Sequence, residues 1–235
     1  MSPSHLAHRS TREVPPGLLL VVPVGSIEQH GPHLPLGTDS IIAMRLADEL
    51  LKRVGPTAAA IAPAVSIGAS GEHSRFAGTL SLGTDVLTNV FIELGRSATQ
   101  PNGGDFGAVL FVNGHGGNSE ALRNAGRVLT GEGRRVFHWS PRVIGLTNDS
   151  HAGRIETSVM LYLAAHLVRM ELAEVGNVSP LTDLGPQLRA AGVHAVSANG
   201  ILGDPRGSTP ERGHDLFTSW VDDLEAVARG LLHSG

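Results

Sequence analysis

The sequence predicts an α/β protein, a three-layer α/β/α arrangement with a mainly parallel central sheet, on three observations. Apolar runs of strand length recur without polar alternation, the pattern of strands buried on both faces. Segments with helical periodicity lie between them, and strand–helix–strand–helix order argues a parallel sheet covered on both sides. Finally, Glu28, His30, His73, His115 and His138 all fall just after, or at the end of, an apolar run. Open sheets of this kind bind ligands at those carboxyl ends.

Taken in order, GLLLVVPV (17–24) reads as a fully buried strand. A helix is expected from Ser40 to Lys52, with Ile41, Ile42, Met44, Leu46, Leu50 and Leu51 as its apolar positions. AAAIAPAVSI (58–67) is the second strand, followed by the Gly- and Ser-rich loop GASGEHSRFAGTLSLG and a helix over 84–98. FGAVLFV (106–112) is the third strand and ends at NGHGGNS; SEALRNAGRVLTGEG then continues as a helix closed by glycine. RRVFHWS (134–140) is the fourth strand, with a strong helix expected over 154–170. GVHAVSANGILGDPRGS is a long loop before a last helix from about Pro210 to Leu232. Residues 1–16 read as a disordered N-terminal arm and 17–235 as one domain, since no repeat, low-complexity tract or linker divides them.

Composition removes several classes of function. A net charge of −4 over 235 residues invites neither nucleic acid nor an anionic membrane surface. Cysteine is absent, which excludes disulfides, thiolate metal sites and a thiol nucleophile. No stretch approaches a membrane span, and the opening residues lack the apolar centre of a signal peptide, so a cytoplasmic location is expected. HExxH and G-x-S-x-G are both missing. What remains to be explained is twelve histidines against a single lysine, Lys52.

The stretch GSIEQHGPHLPLGTDS (25–40) concentrates that chemistry. In extended backbone, residues two apart point the same way, so Glu28 and His30 offer an oxygen and a nitrogen to one side. Such a pair suits zinc, iron or manganese. Asp39 follows a turn rich in glycine and proline; it is either a further ligand or an ordinary helix N-cap. His115 sits between glycines in NGHGGN, with Asn113 and Asn118 available to brace the loop. Metal ligation, a glycine-rich phosphate loop and simple packing are the readings there, but the P-loop spacing and its lysine are both lacking.

In HAGRIETS, Glu156 falls in the first turn of a helix, as a ligand or as a carboxylate favoured by the helix dipole. His151, just outside that helix, is placed to move protons near neutral pH. Together Glu28, His30, Asp39, His115 and Glu156 suit two divalent metal ions better than one, because an aspartate can bridge. Two such ions against three carboxylates leave a net positive charge, which lowers the pKa of bound water towards ~7. His33 and His73 are candidates for lining the substrate pocket or for a merely polar role. His166, inside an apolar helix, reads as a core residue.

VPVGSIEQHGPHLPLGTDS, FVNGHGGNSEAL and HAGRIETSVML, in this order and together with GTLSLG and SANGILGDPRGS, resemble the creatininase family of metal-dependent amidohydrolases. The resemblance runs from about Gly17 to the last helix. It implies a creatininase-like α/β/α fold, two divalent metals per chain (zinc and/or iron(II), or manganese) and a homo-oligomer. By position, Glu28, His30, Asp39 and His115 match the family's metal ligands, with Asp39 as the bridge, and His151 matches its proton-transferring histidine. Glu156 is the substitute, by chemistry and family analogy, for a glutamate ligand that this chain lacks, and with His151 it makes the catalytic pair. Creatininases carry NGHYEN where this chain has NGHGGN, so a glutamate ligand and an aromatic wall are missing at Gly116 and Gly117. Those glycines imply a roomier, substrate-binding mouth.

SGEHSRFAGTLS, HAGRIETS and GNVSPLTDLGPQLRAAGV are most similar to the branch of the family that acts in mycofactocin maturation. That branch implies a peptidase that cleaves a modified ribosomal peptide and releases its C-terminal Val-Tyr-derived part. The alternatives are a small-molecule amidohydrolase acting on a creatinine- or formamide-type substrate and a non-catalytic phosphate- or nucleotide-binding protein.

Overall fold

The computed structural model describes residues 5–100, 106–142 and 148–233. Four parallel strands, β1 (Leu18–Val24), β2 (Ala59–Ile61), β3 (Phe106–Asn113) and β4 (Val136–Trp139), form one sheet in the order β2-β1-β3-β4. Every residue of β1 is buried, as its non-alternating LLLVVPV requires. Its one-face residues Leu19 and Val21 join a core with α1 (Thr38–Val54), α4 (Arg154–Ala164) and α6 (Pro210–His233). Leu20, Val22 and Val24 point the other way, into a core with α2 (Thr84–Ala98) and α3 (Ser119–Gly131). Two cores on opposite faces of one sheet make the three layers.

In α1, Ile42, Leu46 and Leu50 recur every fourth residue on the buried face, with Ala43 and Ala47 beside them. Gly55 closes it: its N–H bonds Leu51 O at 2.9 Å with φ +88°, a backbone that favours glycine. Asp39 lies in the first turn of α1, but the cap position belongs to Gly37.

The chain winds from β1 outwards to β2 on one side and to β3 and β4 on the other. The order therefore reverses between β1 and β3, the switch point at which open sheets leave a crevice. Val24 pairs with Asn113 there, so the loop carrying Glu28 and His30 leaves the sheet beside the loop carrying His115.

Four expectations are corrected. β2 spans three residues rather than ten; Pro63 has no N–H to donate, and only Val65 pairs further on, bridging to Val24. The helix expected over 154–170 ends at Ala164 in a 3-10 turn, which leaves His166 exposed rather than in the core. Leu181–Ala191 forms an unforeseen helix, α5, with Pro186 inside it. Residues 5–13 of the supposedly disordered arm form two 3-10 turns, and His5 Nε2 meets Asp48 Oδ1 at 2.9 Å.

Gly114 shows how tightly the layers meet at the switch point. A Cβ there would lie 2.5 Å from the backbone oxygen of Asp39, so β3 and the start of α1 touch with no slack. Gly114→Ala is expected to destabilise the fold by ~1–3 kcal/mol, the usual scale of overpacking. Urea unfolding checks it, and an unchanged midpoint would mean the two segments can move apart freely.

Candidate metal centre

Glu28, His30, Asp39, His115, His151 and Glu156 converge above β1 and β3, and all but the half-buried Glu156 are buried. Asp39 is the hub. Its Oδ1 lies 3.1 Å from His30 Nε2, and its Oδ2 lies 3.1 Å from His115 Nδ1 and accepts a 2.7 Å hydrogen bond from Ser26 Oγ. The side chain is thus turned inwards to three partners rather than capping its own helix. Glu28 Oε2 is 3.1 Å from His115 Nε2, and Oε1 is 3.3 Å from His73 Nε2 and 3.8 Å from His151 Nδ1. Glu156 Oε2 approaches His30 Nε2 at 3.9 Å and accepts the Ala152 N–H at 2.5 Å.

Three triplets offer one donor atom per residue within 4.8 Å of one another: Glu28–Asp39–His115, His30–Asp39–Glu156 and Glu28–His30–His151. The first two share Asp39.

The donor set fits a cation. Both carboxylate oxygens of Glu28 are buried, yet neither meets a donor at hydrogen-bonding geometry, although histidine nitrogens stand within 3.3 Å. A buried carboxylate without donors is costly, and Glu28, Asp39 and His115 offer donor atoms close enough together to share one ion. Burial and the neighbouring charge of Asp39 push Glu28 up to about 7, against the pull of His115 and His30. Burial likewise raises Glu156 to about 7. Burial opposes charge on His30 and His115 too, but Asp39 above all raises them to about 10 and about 9. Protons on these rings stand where positive charge is wanted, and a divalent ion would displace them.

Outer contacts fix the rings. His30 Nδ1–H donates to the Glu28 carbonyl at 3.2 Å, which turns Nε2 towards Asp39. His151 Nε2–H donates to the Gln29 carbonyl at 2.9 Å, leaving the Nδ1 lone pair on the Glu28 side. The Gln29 amide donates at 2.9 Å to His73 Nδ1 and at 3.0 Å to Gly200 O. The rings of His30 and His73 pack at 4.3 and 4.5 Å from that of His151. Burial, then the charges of His30 and His73, hold His151 well below its usual range, so it is neutral.

The loop asparagines brace as expected: Asn113 Nδ2 donates to His115 O at 2.7 Å, and Asn118 binds Gly25 O and the Ala69 N–H. Ala152, between His151 and Gly153, takes φ +52°, a strained backbone held by Asp149, which accepts the N–H groups of Arg154 and Ile155.

A cleft of about 840 Å³ opens over the cluster, lined by Asp39, His115, His151 and Glu156 among others. His73, Gly116 and Gly117 line it, and the carboxyl end of α5 forms one wall. His33 does not reach it. That ring is 1% exposed and engaged with Thr157 Oγ1 at 2.8 Å beneath α4. His138 is exposed on β4, apart from the cluster. Sequence reasoning passed over Ser26, Gln29, Glu72 and Asp149; Glu72 lines the cleft one residue before His73.

Residues 8–228 match the family model for creatininase, creatinine amidohydrolase. The chain is 46% identical over 218 residues, 89% of its length and 84% of the relative's, to a mycofactocin precursor peptide peptidase of Mycobacterium tuberculosis. It is 28% identical over 242 residues, 90% of its length and 88% of the relative's, to a creatinine amidohydrolase of Pseudomonas putida. A solved structure described as creatininase Mn superposes with a TM-score of 0.78 at 23% identity, covering 97% of this chain and 98% of that one. With a family match over nearly its whole length and this fold beneath it, the chain belongs to the creatininase family.

Proposed function

We propose that this protein is a metal-dependent peptidase that cleaves the modified mycofactocin precursor peptide and releases its C-terminal Val-Tyr-derived part. The observation that carries the metal-dependent chemistry is the sharing of Asp39 between the triplets Glu28–Asp39–His115 and His30–Asp39–Glu156. We read them as two cation sites bridged by that carboxylate, filled by zinc and/or iron(II), or by manganese. The substrate follows from the relative at 46% identity and its name, supported by a cleft wide enough for a peptide end and floored by Gly116 and Gly117. The homo-oligomer and the cytoplasmic location remain part of this reading on family resemblance and composition; among the described residues no helix is long and apolar enough to cross a membrane.

Divalent cations at these positions would polarise the scissile carbonyl and make water nucleophilic near neutral pH. His151 supplies the proton path. Its Nδ1, kept free by the Nε2–H bond to the Gln29 carbonyl, takes a proton from the attacking water. As the C–N bond breaks, the same nitrogen returns that proton to the leaving amine. The His30 and His73 rings hold the His151 ring in place between them. Glu156, tied to the Ala152 N–H, fixes the loop on which His151 rides.

Incubation with the modified precursor peptide, followed by mass spectrometry, tests the substrate. Release of the C-terminal Val-Tyr-derived fragment is expected. Turnover of creatinine with an untouched peptide would favour the small-molecule amidohydrolase instead.

Elemental analysis of the purified protein should find about two divalent ions per chain, and Asp39→Ala should lose both, because the bridge serves each. An active but metal-free wild type would overturn the metal reading. Loss of a single ion in Asp39→Ala would remove the bridge.

His151→Ala should keep both ions and lose ~10²–10⁴-fold in turnover, the usual worth of general acid–base help. A ligand would take metal with it when removed. Near-wild-type turnover in the metal-replete variant would exclude His151 from proton transfer.

A further inference from the structure

We propose that Asp149 is a positioning residue: its carboxylate holds the strained turn at Ala152 and thereby sets where the His151 ring stands. The inference rests on the proton-transfer reading of His151 above and adds to it the residue that places that ring from outside the cation cluster.

His151 directly precedes Ala152, whose φ of +52° a non-glycine residue keeps only where its surroundings impose it. Asp149 imposes it from one side. Its Oδ1 accepts the Arg154 N–H at 2.7 Å and its Oδ2 the Ile155 N–H at 2.9 Å. One carboxylate thus spans the turn, from two residues before His151 to the first two residues of α4. N–H groups at that end of a helix find no partner within it, and Gly153 at the cap position has no side chain to offer. Neither bond involves a residue of the cation cluster.

Two glycines make the room. A Cβ at Gly153 or at Gly203 would run into Asp149 Oδ1, so the carboxylate occupies space that two separate segments leave open.

The other side of the turn is a second fixed edge. Leu202 O accepts the Ser150 N–H at 2.8 Å and the His151 N–H at 3.3 Å, and the Leu202 N–H donates to His151 O at 2.9 Å. That edge is itself backed. The Asn177 N–H donates to Ile201 O and the Gly176 N–H to Gly203 O, each at 3.0 Å, and Ile201 and Leu202 are buried. Residues 150 and 151 are therefore pinned to Leu202, and 154 and 155 to Asp149. The two residues between must close the gap, and the left-handed backbone of Ala152 is how they do so. A ring carried on such a turn is aimed by the backbone before any ion or substrate arrives.

The test is a double-mutant cycle of wild type, Asp149→Ala, His151→Ala and the double variant. kcat and KM for the modified precursor peptide and metal per chain are measured on the same preparations. Asp149→Ala should keep both ions and lose ~10–100-fold in kcat with little change in KM, since a misplacement of ~1 Å can cost ~10²-fold. In the His151→Ala background the same substitution should cost less than about threefold, because the ring it places is gone. Hydrogen exchange of the metal-free proteins, read by mass spectrometry, gives a measure independent of turnover. Asp149→Ala should exchange faster over residues 149–156 and no faster over β1. Asp149→Asn, which keeps one acceptor of the two, should show the same pattern more weakly and carries the cycle where the alanine variant does not fold. Equal loss of kcat in both backgrounds, or unchanged exchange over 149–156, would overturn the proposal. So would loss of an ion in Asp149→Ala, which would give the carboxylate the task of holding Glu156 instead. Near-wild-type turnover in His151→Ala alone would remove the proton-transfer reading itself, and this inference with it.

Discussion

Buried negative charge is the constraint round which this molecule is organised. Glu28 and Asp39 lie just past the end of β1 with almost no access to water, and neither oxygen of Glu28 meets a donor at hydrogen-bonding geometry. Isolated ionised carboxylates are among the most expensive groups to remove from water. Three neighbours answer that cost at Asp39: His30 and His115 lean on it and are raised until they carry protons, and Ser26 donates to it. Such an arrangement is a poor way to stabilise a protein, since a well-packed apolar core does as well or better. Its place at the strand ends fits residues able to hold a cation.

The sheet makes that concentration of charge possible. β1 and β3 are neighbours in space though not in sequence, and α1 and α3 leave them towards opposite faces. The loops after the two strands must therefore part, and the crevice between them is lined by whatever those loops carry. Asp39 reaches it from the first turn of α1, and Gly114 lets the His115 loop lie against that turn. The hydrophobic run of β1 and the polar cluster that follows it are thus one device, with a rigid strand holding the backbone from which Glu28 and His30 project.

Much of this was legible in the sequence because periodicity and composition report local structure. Leu18–Val24 could hardly be anything but a buried strand, and Ser119–Gly131 and Thr84–Ala98 follow their apolar spacing. Glu-x-His after a strand, and a histidine among glycines after another, announced the site before its geometry was known. The failures are equally physical. β2 is cut short because Pro63 cannot donate to a ladder and a single later bridge at Val65 leaves no trace in hydrophobicity. α5 contains Gly185 and Pro186, which read as breakers in isolation, and Leu184 is its single buried residue. The arm at 5–13 takes its shape from tertiary contacts such as His5 with Asp48. His33 looks like its neighbour His30 in sequence; only the turn at Gly31, with φ +66°, sends its ring away under α4. Gln29 and Glu72 were invisible for a related reason: nothing in their own segments says which distant ring they will face.

The pair Gly116–Gly117 joins the two halves of the functional reading. Without side chains there, the cleft keeps an open floor beside His115, and the carboxyl end of α5 with the turn after it forms a wall of Leu188, Arg189, Ala190, Ala191 and Val193. Small polar substrates need close walls that contact every edge; a peptide end needs length and a hydrophobic side. The same absence of a side chain lets the Ala69 carbonyl and the Glu72 carboxylate of the facing loop stand close to His115. Substrate width and the charge round the cluster are therefore not separate variables in this fold. A side chain at 117 would narrow the mouth and meet the Ala69 carbonyl, the His115 ring and the Glu72 carboxylate at once.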